Sequence, residues 1–164
     1  MRHQRKAKNH IQGGFSGIPR VVMNHPDYKN LSGNAVKLLN ELARQYRSHN
    51  NGDLTMAYSL LKDRGFNSKD TIKKCRDELI NANLIIKTRE GRFTNPGATC
   101  SLFALTWQPI NECNGKLDIK STITPPRKFS LENSKMPRPE NGLGSSLKMG
   151  RQRQRNAKGQ YASS

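Results

Sequence analysis

The chain has 164 residues, with 29 Lys and Arg against 12 Asp and Glu, so its formal net charge is +17. That length accommodates one domain of roughly 100 to 150 residues with tails. The sequence has no apolar run of the roughly 18 residues that a membrane-spanning helix needs, and its charge excess favours an anionic partner, most commonly nucleic acid.

Basic and apolar residues are concentrated in different parts of the chain. Residues 1–10 carry four bases and no acid, residues 11–110 carry 14 bases and 8 acids, and residues 111–164 carry 11 bases and 4 acids. Apolar side chains make up 39 of the 100 residues in 11–110 but 13 of the last 54. We therefore predict a disordered basic arm at 1–14, a folded domain at 15–110 and a disordered basic tail at 111–164.

The first predicted elements of the domain are an extended segment and a helix. Residues 18–23 form a short β-branched run with Pro19 near its start, which predicts a strand or an extended lead-in. Ser32 can then cap a helix, because apolar residues recur after it at intervals of three and four. This stripe consists of Ala35, Leu38, Leu39, Leu42, Ala43 and Tyr46. Turn residues at 50–53 predict that the helix stops before them.

Two more helices are predicted after a strand of one or two residues at Leu54. Thr55 is placed to cap the second helix, and Gly65 is placed to end it in a left-handed conformation. The inward residues of this helix are Met56, Ala57, Leu60 and Leu61. Ser68 caps a third helix, 68–83, with the apolar stripe Ile72, Cys75, Leu79 and Ala82. Two short helices joined by a tight glycine-containing turn are typical of a helix-turn-helix.

A β-hairpin is predicted after the third helix. Residues 84–89 and 100–107 are rich in β-branched and aromatic residues, and the loop between them contains Gly91, Pro96 and Gly97. The predicted fold class is therefore α+β. The order of elements predicts a single winged helix-turn-helix domain of three helices and a β-hairpin wing, with disordered basic N- and C-terminal tails.

Several stretches of this domain resemble a known family. They read LSGNAVKLLNEL at 31–42, NGDL at 51–54, SKDTI at 68–72 and ELINANLI at 78–85. These stretches are similar to the winged helix-turn-helix proteins of phages, plasmids and integrated elements, which include the N-terminal domains of replication initiators and small transcriptional regulators. The resemblance covers residues of about 18 to 110 and implies a DNA-binding regulator or replication accessory of a mobile element.

The third helix is the predicted reader of double-stranded DNA. Its N-terminal turn, with Ser68 and Lys69, exposes backbone N–H groups that favour a phosphate. Lys73 and Lys74 lie one turn further on, where either a phosphate or a guanine edge is within reach of a lysine. Asn67 is a candidate adenine reader, although its residue type also suits a turn.

Bases outside the third helix complete the predicted interface. Lys87, Arg89 and Arg92 form the basic set of the wing, suited to phosphates or the minor groove. The tail adds a loose cluster formed by Arg151, Arg153 and Arg155. Such an arm contributes salt-dependent affinity that does not depend on sequence.

No catalytic, metal or cofactor site is predicted. The sequence lacks a phosphate-binding glycine loop, a zinc-protease motif and a pair of carboxylates in apolar surroundings. Cys75, Cys100 and Cys113 form no CxxC pair, which argues against a zinc site and a disulfide framework. The four histidines all lie in arms or turns. We therefore expect a cytoplasmic protein, nucleoid-associated if it binds DNA, that is not an enzyme and uses no cofactor.

Two alternative functions stay open at this stage. An RNA-binding protein would use the same basic tails, with Phe93 and Tyr161 as the candidate stacking residues outside the core. An adaptor would bind another protein through the domain and through the proline-containing segments at 125–128 and 137–139.

Overall fold

The computed structural model describes residues 15–92 and 97–134. The helices are α1 (Arg20–Met23), α2 (Pro26–Lys29), α3 (Gly33–Gln45), α4 (Tyr58–Leu61), α5 (Lys69–Asn81) and α6 (Phe129–Ser134). The strands are β1 (Leu54–Thr55), β2 (Ile85–Arg89) and β3 (Leu102–Leu105), and short 3₁₀ turns occupy Lys62–Arg64 and Cys113–Gly115. The α+β class is therefore confirmed. Within the described ranges, no helix has the length and apolar character required to cross a bilayer.

Helix α3 contributes five of the six residues of the predicted stripe to the hydrophobic core, and the sixth, Tyr46, follows the end of the helix. Its residues Ala35, Leu38, Leu39, Leu42 and Ala43 are all buried. Ser32 is confirmed as the N-cap, because its Oγ accepts a hydrogen bond from the Ala35 N–H at 3.3 Å. Glu78 of α5 accepts from both the backbone N–H and the hydroxyl of Ser32. One carboxylate of α5 therefore supports the first turn of α3 and fixes the two helices against each other.

Residues 18–23 do not form a strand, so this prediction was wrong. The Pro19 carbonyl accepts from the backbone N–H groups of Val22 and Met23 at 3.0 and 3.1 Å, and the segment becomes the single turn α1. Val22 is fully buried in the core. Tertiary packing of this side chain outweighs the β propensity of its sequence, which is a weak and context-dependent preference.

The second helix differs from its prediction at two residues. Thr55 does not cap it, because Thr55 lies in β1 opposite Leu102, where its backbone is extended. Its Oγ1 accepts from the Ala57 N–H at 3.3 Å, and α4 begins at Tyr58. Leu60, expected inside, is 55% exposed, because the single turn of α4 directs only Leu61 of this predicted pair to the core. Gly65 is confirmed as the left-handed residue that ends the following 3₁₀ turn, with a φ of 81°.

The sheet is antiparallel with the strand order β1-β3-β2. Leu54 pairs with Phe103 and Ile85 pairs with Leu105, so both short strands lie beside β3. The register shifts between Lys87 and Arg89, where β2 is irregular. Phe103 and Leu105 belong to the core that contains α3 and α5, which places β2 and β3 beside the helix predicted to read DNA.

Asn51 is a buried polar residue that joins the first part of the domain to the end of β3. Its Nδ2 donates to the carbonyls of Leu105, Gln108 and Pro109, each at 3.0 Å. Its Oδ1 accepts from the Leu105 N–H at 2.8 Å. The sequence indicates only a turn at this position. The structure shows that the side chain satisfies backbone groups that would otherwise be buried without partners.

Residues 111–134 pack on the domain, so the boundary at 110 and the predicted disorder of this part of the tail were wrong. The Asp118 N–H donates to the Thr88 carbonyl and the Arg127 N–H donates to the Thr106 carbonyl, both at 2.9 Å. Phe129 is 2% exposed and joins the core. Backbone hydrogen bonds and the burial of Phe129 together attach a segment that has few apolar residues. The predicted arm at 1–14 and the rest of the tail, 135–164, lie outside the described residues.

Candidate nucleic-acid interface

The solvent-facing side of α5 carries the lysines that the sequence assigns to DNA. Lys69, Lys73 and Lys74 are all exposed, on a helix whose opposite side buries Ile72, Cys75 and Leu79 as predicted. Within residues 15–92 and 97–134, none of these three lysines forms an ion pair. We call the three lysines the α5 lysine face. It presents positive charge that the fold leaves available to an anion.

The N-terminal turn of α5 is built as predicted and is supported by an unpredicted aromatic residue. Ser68 caps the helix, with its Oγ accepting from the Asp70 N–H at 3.1 Å. Asn67 is exposed, and its backbone carbonyl accepts from the Tyr58 hydroxyl at 3.3 Å. Lys69 Nζ lies 5.7 Å from the centre of the Tyr58 ring, a cation–π distance. Tyr58 therefore positions both the turn and the first lysine of the face.

The sequence predicts that the three bases of the hairpin act as one set. The structure shows that their side chains have different partners. Lys87 Nζ lies 2.9 Å from a carboxylate oxygen of Glu90. Arg89 donates from Nε and Nη2 to the Cys100 carbonyl at 3.2 and 2.9 Å. Arg92 is exposed, and its backbone pairs in both directions with Thr99. Two of the three cations are therefore engaged within the protein, whereas the Arg92 side chain has no hydrogen bond or ion pair among the described residues and is open to a ligand.

A groove of about 570 Å³ separates α5 from the hairpin. One wall is α5, and the other wall is formed by residues 90–91 and 98–101. Residues 55–58 close one side, where Met56 is almost buried. Lys69 and Lys73 line this groove, whereas Lys74 does not. We call this feature the α5 groove. It is the concavity of the described residues that lies on the predicted DNA-reading face.

Arg127 is the centre of an ion-pair cluster at the C-terminal end of α5. Its guanidinium donates to Asp27 and Glu132 at 2.6 and 2.7 Å. It also donates to the Ala82 carbonyl at 2.8 Å, at the C-terminal end of α5. The side chain is 9% exposed. The Arg127 guanidinium is therefore not available to a partner protein at the candidate docking segment 125–128, because its hydrogen bonds are made inside the fold.

The charges of this cluster stabilise one another. Burial disfavours the charged form of Arg127, but hydrogen bonds to Glu132 and Asp27 outweigh that cost, so the pKa of Arg127 is raised. The same hydrogen bond from Arg127 lowers the pKa of the Glu132 carboxyl. His25 is 5% exposed beside them, and its ring meets the Phe129 ring edge-on at 5.3 Å. No local pattern predicts this cluster, since its members are up to 107 residues apart.

The cysteines occupy three different environments and form no disulfide. Cys75 is buried as predicted, and desolvation raises the pKa of its thiol. Cys113, expected just past the domain, is partly buried with its Sγ 3.8 Å from the Asn51 carbonyl, and burial raises its pKa too. Cys100 is exposed in the wall of the α5 groove. Among the described residues, no three His, Cys, Asp or Glu side chains are grouped to hold a metal ion.

Several predicted positions lie outside the described residues. They are Arg151, Arg153 and Arg155 of the tail, the proline-containing segment at 137–139, and the candidate stacking residues Phe93 and Tyr161. No family model, no curated protein and no solved structure matches this chain.

Proposed function

We propose that this protein binds double-stranded DNA as a winged helix-turn-helix, with α5 in the major groove and the β2–β3 hairpin as a wing on the backbone or the minor groove. The observation that carries the proposal is the α5 lysine face, which is exposed, lacks internal ion pairs among the described residues and lies beside the hairpin. An α-helix fits the width of the major groove, and lysine contacts either phosphates or guanine edges there.

The surroundings of α5 support this use of the helix. α5 follows a tight turn ended by the left-handed Gly65, and its N-cap holds the first turn in place. Its apolar side is held in the core, so the lysines stand on a rigid element. Contacts made from a rigid element lose less conformational entropy on binding than contacts made from a mobile one.

The partners of the hairpin bases indicate how the wing contributes. Arg92 is the hairpin base best placed to reach a phosphate or a minor groove, since Lys87 and Arg89 already have acceptors. The tail arginines 151, 153 and 155 add charge that attracts any duplex. We therefore propose strong salt dependence and modest sequence selectivity. The family resemblance favours a role as transcriptional regulator or replication accessory of a mobile element.

A double charge reversal tests the role of α5. Lys73→Glu with Lys74→Glu should abolish binding to a duplex, because it places two carboxylates against the DNA phosphates. Thermal stability should stay almost unchanged, because both side chains are exposed and unpaired among the described residues. Binding is measured by fluorescence anisotropy of a labelled duplex, and stability is measured by thermal unfolding.

The matched control makes the same change in total charge beside the Arg127 cluster, at the C-terminal end of α5. Lys29→Glu with Lys128→Glu alters two exposed lysines near the Arg127 cluster. This pair should weaken binding only through the net charge, by much less than the α5 pair. If both double variants lose binding equally, or if the α5 variant still binds, α5 is not the reader.

A competition measurement separates DNA from RNA. Labelled duplex DNA is displaced by unlabelled duplex DNA or by single-stranded RNA at the same salt concentration. The proposal requires duplex DNA to compete better. Stronger competition by RNA would replace the proposal with an RNA-binding function, and a pull-down partner that survives nuclease treatment would indicate the adaptor function.

A further inference from the structure

The α5 groove has a chemistry that a DNA duplex does not match. Met56 and Ile72 are 8% and 7% exposed and contribute apolar surface to its lining. Ala57 and Ala98 add further apolar lining. A duplex presents a convex surface of phosphates and base edges, so it covers the mouth of this groove and leaves the apolar interior without a partner.

The charge in the groove is positive and concentrated at α5. Lys69 and Lys73 line it without an ion-pair partner among the described residues. Arg76 is also in the lining, but Asp77 lies 2.6 Å from its guanidinium and neutralises it. Glu90, in the lining at the hairpin, is paired with Lys87 at 2.9 Å. Two unneutralised ammonium groups therefore lie beside an apolar lining.

The volume suits a small organic molecule. The groove measures about 570 Å³, within the range of roughly 300 to 1,000 Å³ found for ligand pockets. An inorganic phosphate or a chloride would satisfy the lysines but would leave the apolar lining in contact with water. A neutral apolar molecule would cover the lining but would leave the ammonium groups unpaired.

We propose that the α5 groove binds a small apolar anion, a molecule with an aromatic or branched aliphatic body and one carboxylate or sulfonate group. The body lies on the apolar lining and the acid group lies between Lys69 and Lys73. Since both lysines also belong to the α5 lysine face, the bound anion and a DNA duplex exclude each other. Binding of the anion does not depend on the proposed function. The mutual exclusion of anion and DNA does rest on the proposed function.

Anilinonaphthalene sulfonate is a suitable probe, because it combines an aromatic body with one anionic group. The full chain is incubated with the probe, and the alkylation rates of its thiols are followed by mass spectrometry. Cys100 is exposed in the wall of the groove, whereas Cys113 lies away from the groove beside Asn51. We expect the bound probe to slow alkylation of Cys100 at least threefold and to leave the rate at Cys113 unchanged.

Two single variants provide the matched control for charge. Lys73→Gln should weaken probe binding roughly threefold by removing one ion pair. Lys74→Gln carries the same change on the same helix, but Lys74 is not part of the lining, so its affinity should equal that of the wild type. Three results would overturn the site. The first is that Cys100 is alkylated equally fast with and without the probe. The others are that the probe protects both thiols equally, or that both variants weaken probe binding equally.

Duplex DNA is then added to the complex of protein and probe. Release of the probe, measured as loss of its fluorescence, is the expected result. Simultaneous binding of probe and duplex would overturn the exclusion. If the probe protects Cys100 but the protein binds no duplex, the proposed function is contradicted and the anion site is still supported.

Discussion

The α5 lysine face and the Arg127 cluster contribute cations to the same net charge but use them in opposite ways. Lys73 and Lys74 are exposed and form no ion pair within the described residues. Arg127 is 9% exposed and is held by two carboxylates and a helix C-terminus. The difference shows that the position of a base, and not its count, decides whether it is available to a nucleic acid or is used as a structural contact.

The dependence of DNA affinity on salt should separate these two regions most strongly. If the protein makes about six to eight phosphate contacts, its affinity should fall by roughly three to four decades between about 50 and 200 mM salt. Lys73→Gln with Lys74→Gln should reduce the slope of log K against log salt by about 1.8, and Arg127→Leu should leave it unchanged. If the DNA affinity of the wild type does not change with salt concentration, an electrostatic mode of binding is excluded.

The reverse pattern is expected for stability. Arg127→Leu should lower the free energy of unfolding by about 2 to 3 kcal/mol, because it removes the partner of two carboxylates and a helix-end carbonyl. Lys128→Leu, next in the chain and exposed, should change it by less than about 0.5 kcal/mol. Urea unfolding measures both values. Equal effects of the two substitutions would show that Arg127 does not hold the segment.

Acid should weaken the Arg127 cluster and leave the α5 lysine face charged. The pKa of Glu132 is lowered in the folded state by the hydrogen bond from Arg127. Its stabilising effect is therefore complete above its ordinary pKa and is lost as the pH falls through the lowered value. The loss should not exceed about 1 kcal/mol, since the carboxylate is partly exposed.

The control for this pH dependence is Glu132→Gln. This variant keeps the shape of the side chain and removes its titration. As the pH is lowered below the ordinary pKa of a glutamate, its stability should therefore fall less than that of the wild type, because all other groups titrate alike in the two proteins. Thermal unfolding across this pH range measures the difference. Identical pH profiles for the two proteins would show that Glu132 does not contribute.

The smallest expected effect distinguishes bases within the hairpin. Arg92→Gln should reduce the salt slope by about 0.9, the value for one phosphate contact. Arg89→Gln should reduce it by less than half as much, because Arg89 already donates to the Cys100 carbonyl. If Arg89→Gln has the larger effect, Arg89 leaves that carbonyl when DNA binds, and the hairpin rearranges in the complex.

Local signals in the sequence predicted the helices that matter for the proposed interface. The spacing of apolar residues in α3 and α5 was sufficient, because each helix buries one stripe over several turns. The caps Ser32 and Ser68 and the left-handed Gly65 were also predictable, since each depends on the residue and its immediate neighbours. The exposure of Lys73 and Lys74 follows from the same periodicity.

Features that depend on distant contacts were not predictable in this way. Segment 18–23 became a helical turn because Val22 packs in the core. Residues 111–134 fold on the domain through Phe129 and Arg127, in a stretch whose composition alone indicates disorder. The partners of Lys87 and Arg89 also required the structure, since a list of hairpin bases does not show which acceptors they meet.

The contact between Glu78 and Ser32 has a mechanical consequence for recognition. Because a residue of α5 completes the first turn of α3, rolling α5 about its own axis would remove acceptors from Ser32 and fray the neighbouring helix. Loss of a hydrogen bond of this kind costs about 1 kcal/mol. The orientation of α5 is therefore set within the fold. Under the proposed function, adaptation to different operators falls to lysine rotamers and bridging solvent. Hydrogen exchange at the Ala35 amide, which bonds to Ser32 Oγ, reports directly on that alignment.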